Sequence, residues 1–334
     1  MSKRIKDTDY LALSTRIRSL ENGLLTREKM ERLLETRTVE ETVRLLREWG
    51  YEGLDPAHPE VMDAFLAAAR EAMLADLAQE APDPRYIDVF RLPYDYHNLK
   101  VILKADAMGI DPNRLLVETG CVKPKTLTES VRSGETDGLP PRLAEAAEEG
   151  REVLHTTRDP QLSDMAVDRR CWQDMTETAE ATGSDFLRGY VKAQIDAVNL
   201  RTLVRTLRMK KSPAFLQGAL LEGGEIGPGA LLKISKNDGS GLAELYAATR
   251  FHAAAERGAE ALRGGGLMAF EKLCDDAVAE YLSGARFVPF GEAPLLAYLA
   301  ARETEWMNLR ILLMGKQAGL AADVIRFRFR SNWL

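Results

Sequence analysis

Apolar residues recur with the spacing of α-helices along almost the whole chain. One stripe comprises Met62, Phe65, Leu66, Ala69, Met73 and Leu77, and another comprises Phe270, Leu273, Cys274, Ala277, Val278 and Tyr281. Intervals of three and four residues place such side chains on one face of a helix. Thr38 with Glu41, and Thr126 with Glu129, have the spacing of a capping box that begins a helix. Because no run of alternating apolar and polar residues stands between turn signals, the pattern predicts an all-α fold.

A pattern of acid-x-x-Asn-Leu-base-x-apolar-apolar occurs three times in the chain. Its acid and asparagine are Asp95 and Asn98, then Asp196 and Asn199, then Glu305 and Asn308. Successive acids are 101 and 109 residues apart. Similarity within one chain at a nearly constant period is typical of a repeated structural unit. The pattern therefore predicts three copies of a helical unit.

A second marker, Glu-x-Gly, runs in phase with the first. It begins at Glu21, Glu118 and Glu222. Apolar residues follow it at fixed intervals: Leu25, Val122 and Ile226, then Met30, Leu127 and Leu231. Two markers that keep the same order and nearly the same spacing predict similar units at residues 1–115, 116–218 and 219–334.

The repeated asparagines occupy positions where asparagine is a poor helix former, because its side chain competes with the backbone for hydrogen bonds. We expect Asn98, Asn199 and Asn308 to be buried and to bond to backbone groups, such as the exposed amides of the Glu-x-Gly turns. The functional alternative is an acid and amide catalytic pair. A triplicated active site of that kind is not favoured, so the markers are interpreted as structural.

Basic residues follow two of the repeated asparagines at helical intervals. Lys100 and Lys104 form one stripe, and Arg201, Arg205 and Arg208 form another. A solvated face or intramolecular ion pairs is the favoured interpretation of both stripes. The alternative is a docking surface for an acidic partner, which makes these five residues the candidate partner-binding residues.

Charge and composition narrow the class of protein. The 334 residues include 45 Lys and Arg against 51 Asp and Glu, a net charge of −6, which disfavours nucleic acid or anionic lipid as a partner of the whole chain. No uncharged run exceeds the ten residues 212–221, far short of the ~20 that span a bilayer. The first residues lack the apolar core of a signal peptide, and three scattered cysteines do not predict disulfides. We therefore expect a cytoplasmic protein.

Motifs of catalysis and cofactor binding are absent from the sequence. There is no His or Cys pattern for a metal, no P-loop, no dinucleotide fingerprint and no nucleophile elbow. The run Gly264-Gly-Gly266 has neither a preceding strand nor a following Gly-Lys-Ser/Thr, so it is interpreted as a loop between helices. The sequence predicts a protein that is not an enzyme and binds no cofactor.

The markers carry a resemblance to a known family. The segment 94–105, Tyr-Asp-Tyr-His-Asn-Leu-Lys-Val-Ile-Leu-Lys-Ala, resembles the C subunit of the V-type and A-type rotary ATP synthases, a relative of the d subunit of eukaryotic vacuolar ATPases. The opening segment 16–21 and the closing segments 305–310 and 325–330 are similar to the two ends of that family. The resemblance therefore covers essentially the whole chain.

The resemblance implies a non-catalytic funnel of three similar helical domains around a pseudo-threefold axis. Such a protein is peripheral on the cytoplasmic face of the membrane, where it sits on the proteolipid rotor ring and receives the central shaft. It passes torque between ATP chemistry and ion transport. The implied partners are the shaft subunits and the ring, with one copy per rotor and a monomer in isolation.

Two other functions compete with this interpretation. The first is a soluble helical-repeat adaptor, unrelated to rotary ATPases, that buries partner helices in a concave face. The second is an all-α hydrolase that uses carboxylates such as Asp95 or Asp196. The sequence leaves open whether the coupled ion is H⁺ or Na⁺ and whether ATP is made or consumed.

Overall fold

The computed structural model describes residues 5–55 and 59–331, and its regular structure there is entirely helical. This confirms the predicted all-α class. Short 3₁₀ turns occur at Asp7–Tyr10 and Gly284–Phe287. The α-helices are α1 Leu11–Glu21, α2 Arg27–Glu35, α3 Val39–Glu48, α4 Pro59–Glu80, α5 Arg85–Met108, α6 Pro124–Ser133, α7 Pro141–Thr157 and α8 Pro160–Thr182. They continue with α9 Asp185–Arg208, α10 Pro213–Ala219, α11 Pro228–Ser235, α12 Leu242–Leu245, α13 His252–Leu262, α14 Leu267–Ser283, α15 Glu292–Gln317 and α16 Ala322–Arg328.

The chain forms two compact units. One contains residues 1–76, 80–82 and 239–334, and the other contains residues 77–79 and 83–238. The first unit thus joins the two ends of the chain, and the second is built from α5 to α11. The predicted division into three repeats at 1–115, 116–218 and 219–334 describes sequence copies and stays a prediction.

The long helix α15 is the centre of the first unit. It contacts α1, α3, α14 and α16. Trp306, Leu309 and Leu313 lie on one face of α15 and pack in a buried cluster with Leu33 of α2 and Leu46 of α3. Each such leucine contributes about 1.5–3 kcal/mol by leaving water. The N-terminal helices are therefore held to the C-terminal helix by a shared apolar core.

In the second unit α5, α7 and α8 pack against one another, and α9 packs against α8, α10 and α11. Gly150 of α7 lies at a close approach of these three helices. A Cβ atom at this position would lie 2.7 Å from Val167 of α8 and 2.8 Å from Leu103 of α5. A glycine inside a helix costs about 1 kcal/mol relative to alanine, and here the close packing offsets that cost.

The helix starts agree with the capping prediction at one site and differ at the other. The Thr38 hydroxyl oxygen accepts a hydrogen bond from the Glu41 N–H at 3.2 Å, as predicted, whereas the Glu41 carboxylate accepts from the N–H of Arg37. The predicted start at Thr126 is wrong, because α6 begins at Pro124. Proline has a fixed φ that suits the first helical position, so Thr126 lies inside the first turn.

Candidate functional site

The first marker pair joins α5 to the turn that follows it. The Asp95 carboxylate, 1% exposed, accepts hydrogen bonds from the backbone N–H groups of Cys121 and Val122, both at 3.0 Å. The Asn98 side chain donates to the Val117 carbonyl at 2.7 Å and accepts from the Val117 N–H at 2.9 Å. Four hydrogen bonds from one helix face thus hold residues 117–122.

The second marker pair repeats this arrangement on α9. Asp196 accepts from the N–H groups of Glu225 at 2.9 Å and Ile226 at 3.1 Å. Asn199 donates to the Leu221 carbonyl and accepts from the Leu221 N–H, both at 2.8 Å. Both marker side chains are buried. We call each such set of contacts a junction: the Asp95 junction and the Asp196 junction lie within the second unit.

The third marker acid makes a different set of bonds. Glu305 of α15 accepts a hydrogen bond from the N–H of Leu25, which belongs to the first Glu-x-Gly marker turn. Its other oxygen accepts from the Tyr51 hydroxyl and from the Arg302 guanidinium. The phenol and the guanidinium replace the second backbone donor of the other two junctions. The Glu305 junction lies within the first unit.

The third asparagine binds the other end of the chain. Asn308 donates to the Arg330 carbonyl at 3.0 Å and accepts from the Arg330 N–H at 2.8 Å. In the Asp95 and Asp196 junctions the two bonded segments are one continuous stretch of chain. Here they are the C-terminal segment and the N-terminal turn. Each marker helix thus binds the next marker turn, and the last marker helix binds the first.

The predicted burial and backbone bonding of Asn98, Asn199 and Asn308 are confirmed, but the turn amides have another partner. A carboxylate only accepts hydrogen bonds, whereas an asparagine amide both donates and accepts. Asp95 and Asp196 therefore each bind a pair of turn N–H groups, and Glu305 binds one. The asparagines bind the N–H and the C=O of a single residue. The sequence pattern did not show that the acids and the asparagines bind different backbone groups.

The glycine of the Glu-x-Gly marker makes room for the acid in two of the three junctions. A Cβ atom on Gly120 would lie 2.1 Å from the Asp95 carboxylate oxygen, and one on Gly224 would lie 2.4 Å from that of Asp196. Gly23 does not approach Glu305, since its nearest neighbour would be the Leu20 carbonyl at 3.3 Å. The close approach thus accompanies the short aspartate and not the longer glutamate.

Burial raises the pKa of all three marker acids above the ordinary carboxyl range. For Asp95 burial outweighs the two backbone hydrogen bonds and raises the pKa to about 6. Burial also raises the pKa of Asp196 against its two backbone bonds. It raises the pKa of Glu305 as well, opposed mainly by the charge of Arg302.

The repeat extends to the ends of the marker helices, which the sequence analysis missed. Gly109, Lys210 and Gly319 each lie eleven residues after a marker asparagine, with left-handed φ values of 66°, 51° and 67°. In each copy the next N–H bonds to the carbonyl five residues earlier, a Schellman closure of the helix. Glycine usually marks this kind of helix ending in a sequence, but the second copy has Lys210 at that position.

The first predicted basic stripe is paired within the chain. Lys100 forms an ion pair with Asp168 at 2.6 Å, and Lys104 forms one with Asp164 at 2.9 Å. Both acids lie on α8, so the stripe connects α5 to α8. These pairs correspond to the intramolecular interpretation of the stripe.

The second stripe follows the exposed end of α9. Arg201 is half-buried, and Arg205 and Arg208 are exposed. Each of the three side chains also has an interaction partner within the chain. Their role as partner-binding residues stays a prediction, as it does for Lys100 and Lys104.

A cavity of about 360 Å³ lies beside the Glu305 junction, where the two ends of the chain meet. Leu25, Glu305, Asn308 and Arg330 contribute to its wall. Three of the four basic residues in its wall are paired with acids, namely Arg326 with Glu31, Lys272 with Asp276, and Arg330 with Asp275; the fourth is Arg27. These ion pairs offset the charges of three of the basic wall residues.

The junctions are structural contacts that connect the marker helices to other segments of the chain. The marker acids and amides form their hydrogen bonds with backbone groups and neighbouring side chains of the same chain. Within residues 5–55 and 59–331, no cluster of three or more His, Cys, Asp and Glu side chains has the arrangement of a metal site. In the same part of the chain, every helix is too short or too polar to cross a bilayer.

The chain is similar over most of its length to the C subunits of V-type and A-type ATPases and ATP synthases. The family model described as "ATP synthase (C/AC39) subunit" matches residues 13–328. The C subunit of the V-type sodium ATPase of Enterococcus hirae is 24% identical over 327 residues, covering 96% of this chain and 98% of its own length. The C subunit of the V-type ATP synthase of Thermus thermophilus is 24% identical over 93% of this chain and 95% of its own length. The C subunit of the A-type ATP synthase of Methanocaldococcus jannaschii is 26% identical, with coverages of 95% and 85%.

Proposed function

Because the chain belongs to the ATP synthase (C/AC39) subunit family, we propose that it is the non-catalytic central-stalk subunit that couples the rotor shaft to the membrane ring. The observation that carries this proposal is the family match over residues 13–328, which includes all three marker acids and all three marker asparagines. As a family member the chain is a subunit of a rotary ATPase. Its position between shaft and ring is the proposed part.

The junctions supply the stiffness that such a coupler needs. Torque passes through a protein without loss only if its elements keep their positions under load, and close-packed interiors with satisfied polar groups transmit strain in this way. Each aspartate junction fixes a helix to a turn with four hydrogen bonds made by two buried side chains. The Glu305 junction fixes the two ends of the chain to each other. These contacts connect α15 to the turn before α2 and to the segment after α16.

The proposed partners follow from the same position. One surface of the chain receives the shaft subunits and another rests on the proteolipid ring, with one copy per rotor and a monomer when the chain is isolated. The chain is proposed to lie on the cytoplasmic face of the membrane, where its contact with the ring holds it. Arg201, Arg205 and Arg208 are the proposed contacts to an acidic partner, with Lys100 and Lys104 as further candidates.

A rebinding experiment tests the proposal. Membranes that carry the ring but lack this chain are mixed with the shaft and head complex, with and without the purified chain. We expect membrane-bound ATPase activity only when the chain is present, while the soluble head hydrolyses ATP in both cases. If the shaft and head complex binds such membranes equally well without the chain, the coupler function is wrong. Capture of unrelated helical proteins instead would favour the adaptor alternative.

A further inference from the structure

The loop between α14 and α15 is longer than the repeat requires. Residues 284–291, here called the Phe287 loop, separate these two helices. In the other copies the helix that carries the marker acid follows its predecessor after residues 183–184 or 81–84. The third copy thus carries additional chain at this point. The marker helices form without such a loop, so its presence calls for another reason.

This loop exposes large apolar side chains. Phe287 is 88% exposed and Phe290 is 37% exposed. Leu11, 48% exposed, lies one turn before Ser14 on α1, and the Ser14 hydroxyl bonds to the carbonyl at the end of the loop. A buried aromatic side chain removes about 150–250 Å² from water, and a nearly fully exposed phenylalanine forgoes that gain. Exposed apolar groups gathered at one place mark a site of interaction.

The backbone of the loop is held in place. The Arg18 guanidinium donates to the carbonyls of Ala285 at 2.9 Å and Val288 at 2.7 Å, on either side of Phe287. Ala285 is fully buried, and Ser14 donates to the Gly291 carbonyl at 3.3 Å. An anchor that is ordered before binding loses little conformational entropy when it binds. The Phe287 ring is therefore presented by a preformed support.

The described charges around the loop favour a basic protein surface as its partner. Asp7 lies next to the end of the loop, and Asp7, Asp9 and Glu280 are exposed. Lys6 and Arg286 are exposed bases beside these three carboxylates, and Arg286 also has a partner within the chain. Carboxylates at this rim oppose an anionic bilayer. The cytoplasmic loops of membrane proteins carry an excess of Lys and Arg, and they complement such a rim.

We propose that the Phe287 loop is the anchor that docks this chain on the cytoplasmic loops of the membrane ring. The inference rests on the proposed function, which places the chain on that ring. Phe287 enters an apolar recess between ring loops, while Asp7 faces their basic side chains. The apolar area of the loop is small against the ~800 Å² per partner of a stable interface, so it acts as an anchor within a wider contact.

Binding to the purified ring in lipid nanodiscs tests this proposal. The full chain, Phe287→Asp and the control Leu115→Asp are compared; Leu115 is another exposed apolar residue, 61% exposed in a surface loop. We expect Phe287→Asp to weaken ring binding at least about tenfold, as loss of an interface anchor does. Leu115→Asp stays within twofold of the native chain. Binding of Phe287→Asp to the purified shaft subunits is unchanged.

Two further variants separate the contributions of charge. Asp7→Lys weakens ring binding about threefold at low salt and less at high salt, because the rim charges are screened. Lys3 and Arg4 lie outside the described residues, so a chain lacking residues 2–4 tests their share. We expect it to bind the ring within twofold of the native chain.

Several outcomes overturn the proposal. If Phe287→Asp binds the ring as well as the native chain does, the loop is not the anchor. If the variant instead loses binding to the shaft subunits, the loop belongs to the shaft interface. Equal binding of the native chain to ring-free nanodiscs assigns it to lipid. These results differ from failure of the proposed function, in which the native chain binds neither ring nor shaft.

Discussion

Glu305 accepts a hydrogen bond from the backbone N–H of Leu25, a residue 280 positions earlier in the chain. This contact, with the bond of Asn308 to Arg330, completes a third junction from the two ends of the chain. Glu305 is 2% exposed, and Arg302 and Tyr51 satisfy the oxygen that Leu25 leaves free. The contact therefore combines an ion pair of a buried carboxylate with the closure of the chain.

Replacing Glu305 with glutamine tests the closure. The variant leaves Arg302 without its carboxylate and weakens the acceptor of the Leu25 N–H, so we expect a loss of about 3 kcal/mol in the free energy of unfolding. Urea unfolding followed by circular dichroism measures it. Glu303→Gln on the same helix is the control, because its ion pair with Arg70 is more exposed and is worth less than ~1 kcal/mol. Equal losses in the two variants would contradict the assigned role of Glu305.

Alanine at the marker glycines is expected to disrupt the two aspartate junctions. The new Cβ atom of Gly120→Ala or Gly224→Ala falls on the carboxylate oxygen of Asp95 or Asp196, so the turn has to move away. We expect each variant to lose about 1–3 kcal/mol of stability, as overpacked cores do. Gly138→Ala, where nothing lies within 4 Å, is the matched control and stays near the native value. A melting temperature of Gly120→Ala equal to that of Gly138→Ala would refute the predicted clash.

Loss of a marker amide leaves two backbone groups without partners. Asn199→Leu keeps the branched shape of the side chain but removes both bonds to Leu221, which is itself buried. Each unsatisfied buried group costs about 1–3 kcal/mol, and chemical denaturation reads out the sum. The exposed Asn237 supplies the control Asn237→Leu. The interpretation fails if both leucine variants unfold at the same denaturant concentration.

The acid Asp95 gives the second unit a defined dependence on pH. Its folded pKa, about 6, lies above the ordinary aspartate value of 3.8, so the folded state binds the proton more tightly. The stabilising effect of this protonation is complete below about pH 4 and is lost as the pH rises through 6. The free energy of unfolding of the native chain minus that of Asp95→Asn should rise by about 2 kcal/mol from pH 7 to pH 4, since a shift of one pKa unit is worth ~1.4 kcal/mol. Carboxyl NMR checks the midpoint directly, and a midpoint below 4 would contradict the prediction.

The helices and the repeated markers were predictable because both depend on local spacing. The apolar stripe 62–77 forms part of α4, and Asn98, Asn199 and Asn308 are buried as predicted. The start of α6 was misplaced because Pro124 outcompetes the Thr126 capping pair.

Long-range pairing was beyond what spacing alone provides. Repeats show that a helix and a turn recur, but not that Glu305 binds the turn of Leu25 at the far end of the chain. Tyr51 and Arg302 complete that junction without counterparts in the other two, so no repeat signal marks them. Lys210 has a left-handed backbone conformation, which in a sequence is usually marked by glycine. The repeat of this helix ending is therefore seen only in the backbone conformation and hydrogen bonds of the structure.

The charge of the second basic stripe is a separate test of partner binding. Reversal of Arg201, Arg205 and Arg208 to glutamate weakens assembly with an acidic partner, most strongly at low salt where attraction is least screened. Because these side chains also have partners within the chain, the melting temperature of the variant is measured alongside assembly. A variant that keeps its native melting temperature and assembles normally at low salt removes the stripe from the interface.

The coupling of ATP hydrolysis to ion transport tests the central claim most directly. The membrane complex is reconstituted in vesicles with the native chain and without it, and ion uptake and ATP consumption are recorded together. A coupler of shaft and ring predicts ATP-driven uptake with the native chain, none without it, and head ATPase activity in both cases. Undiminished ion uptake per ATP in vesicles without the chain would contradict the account.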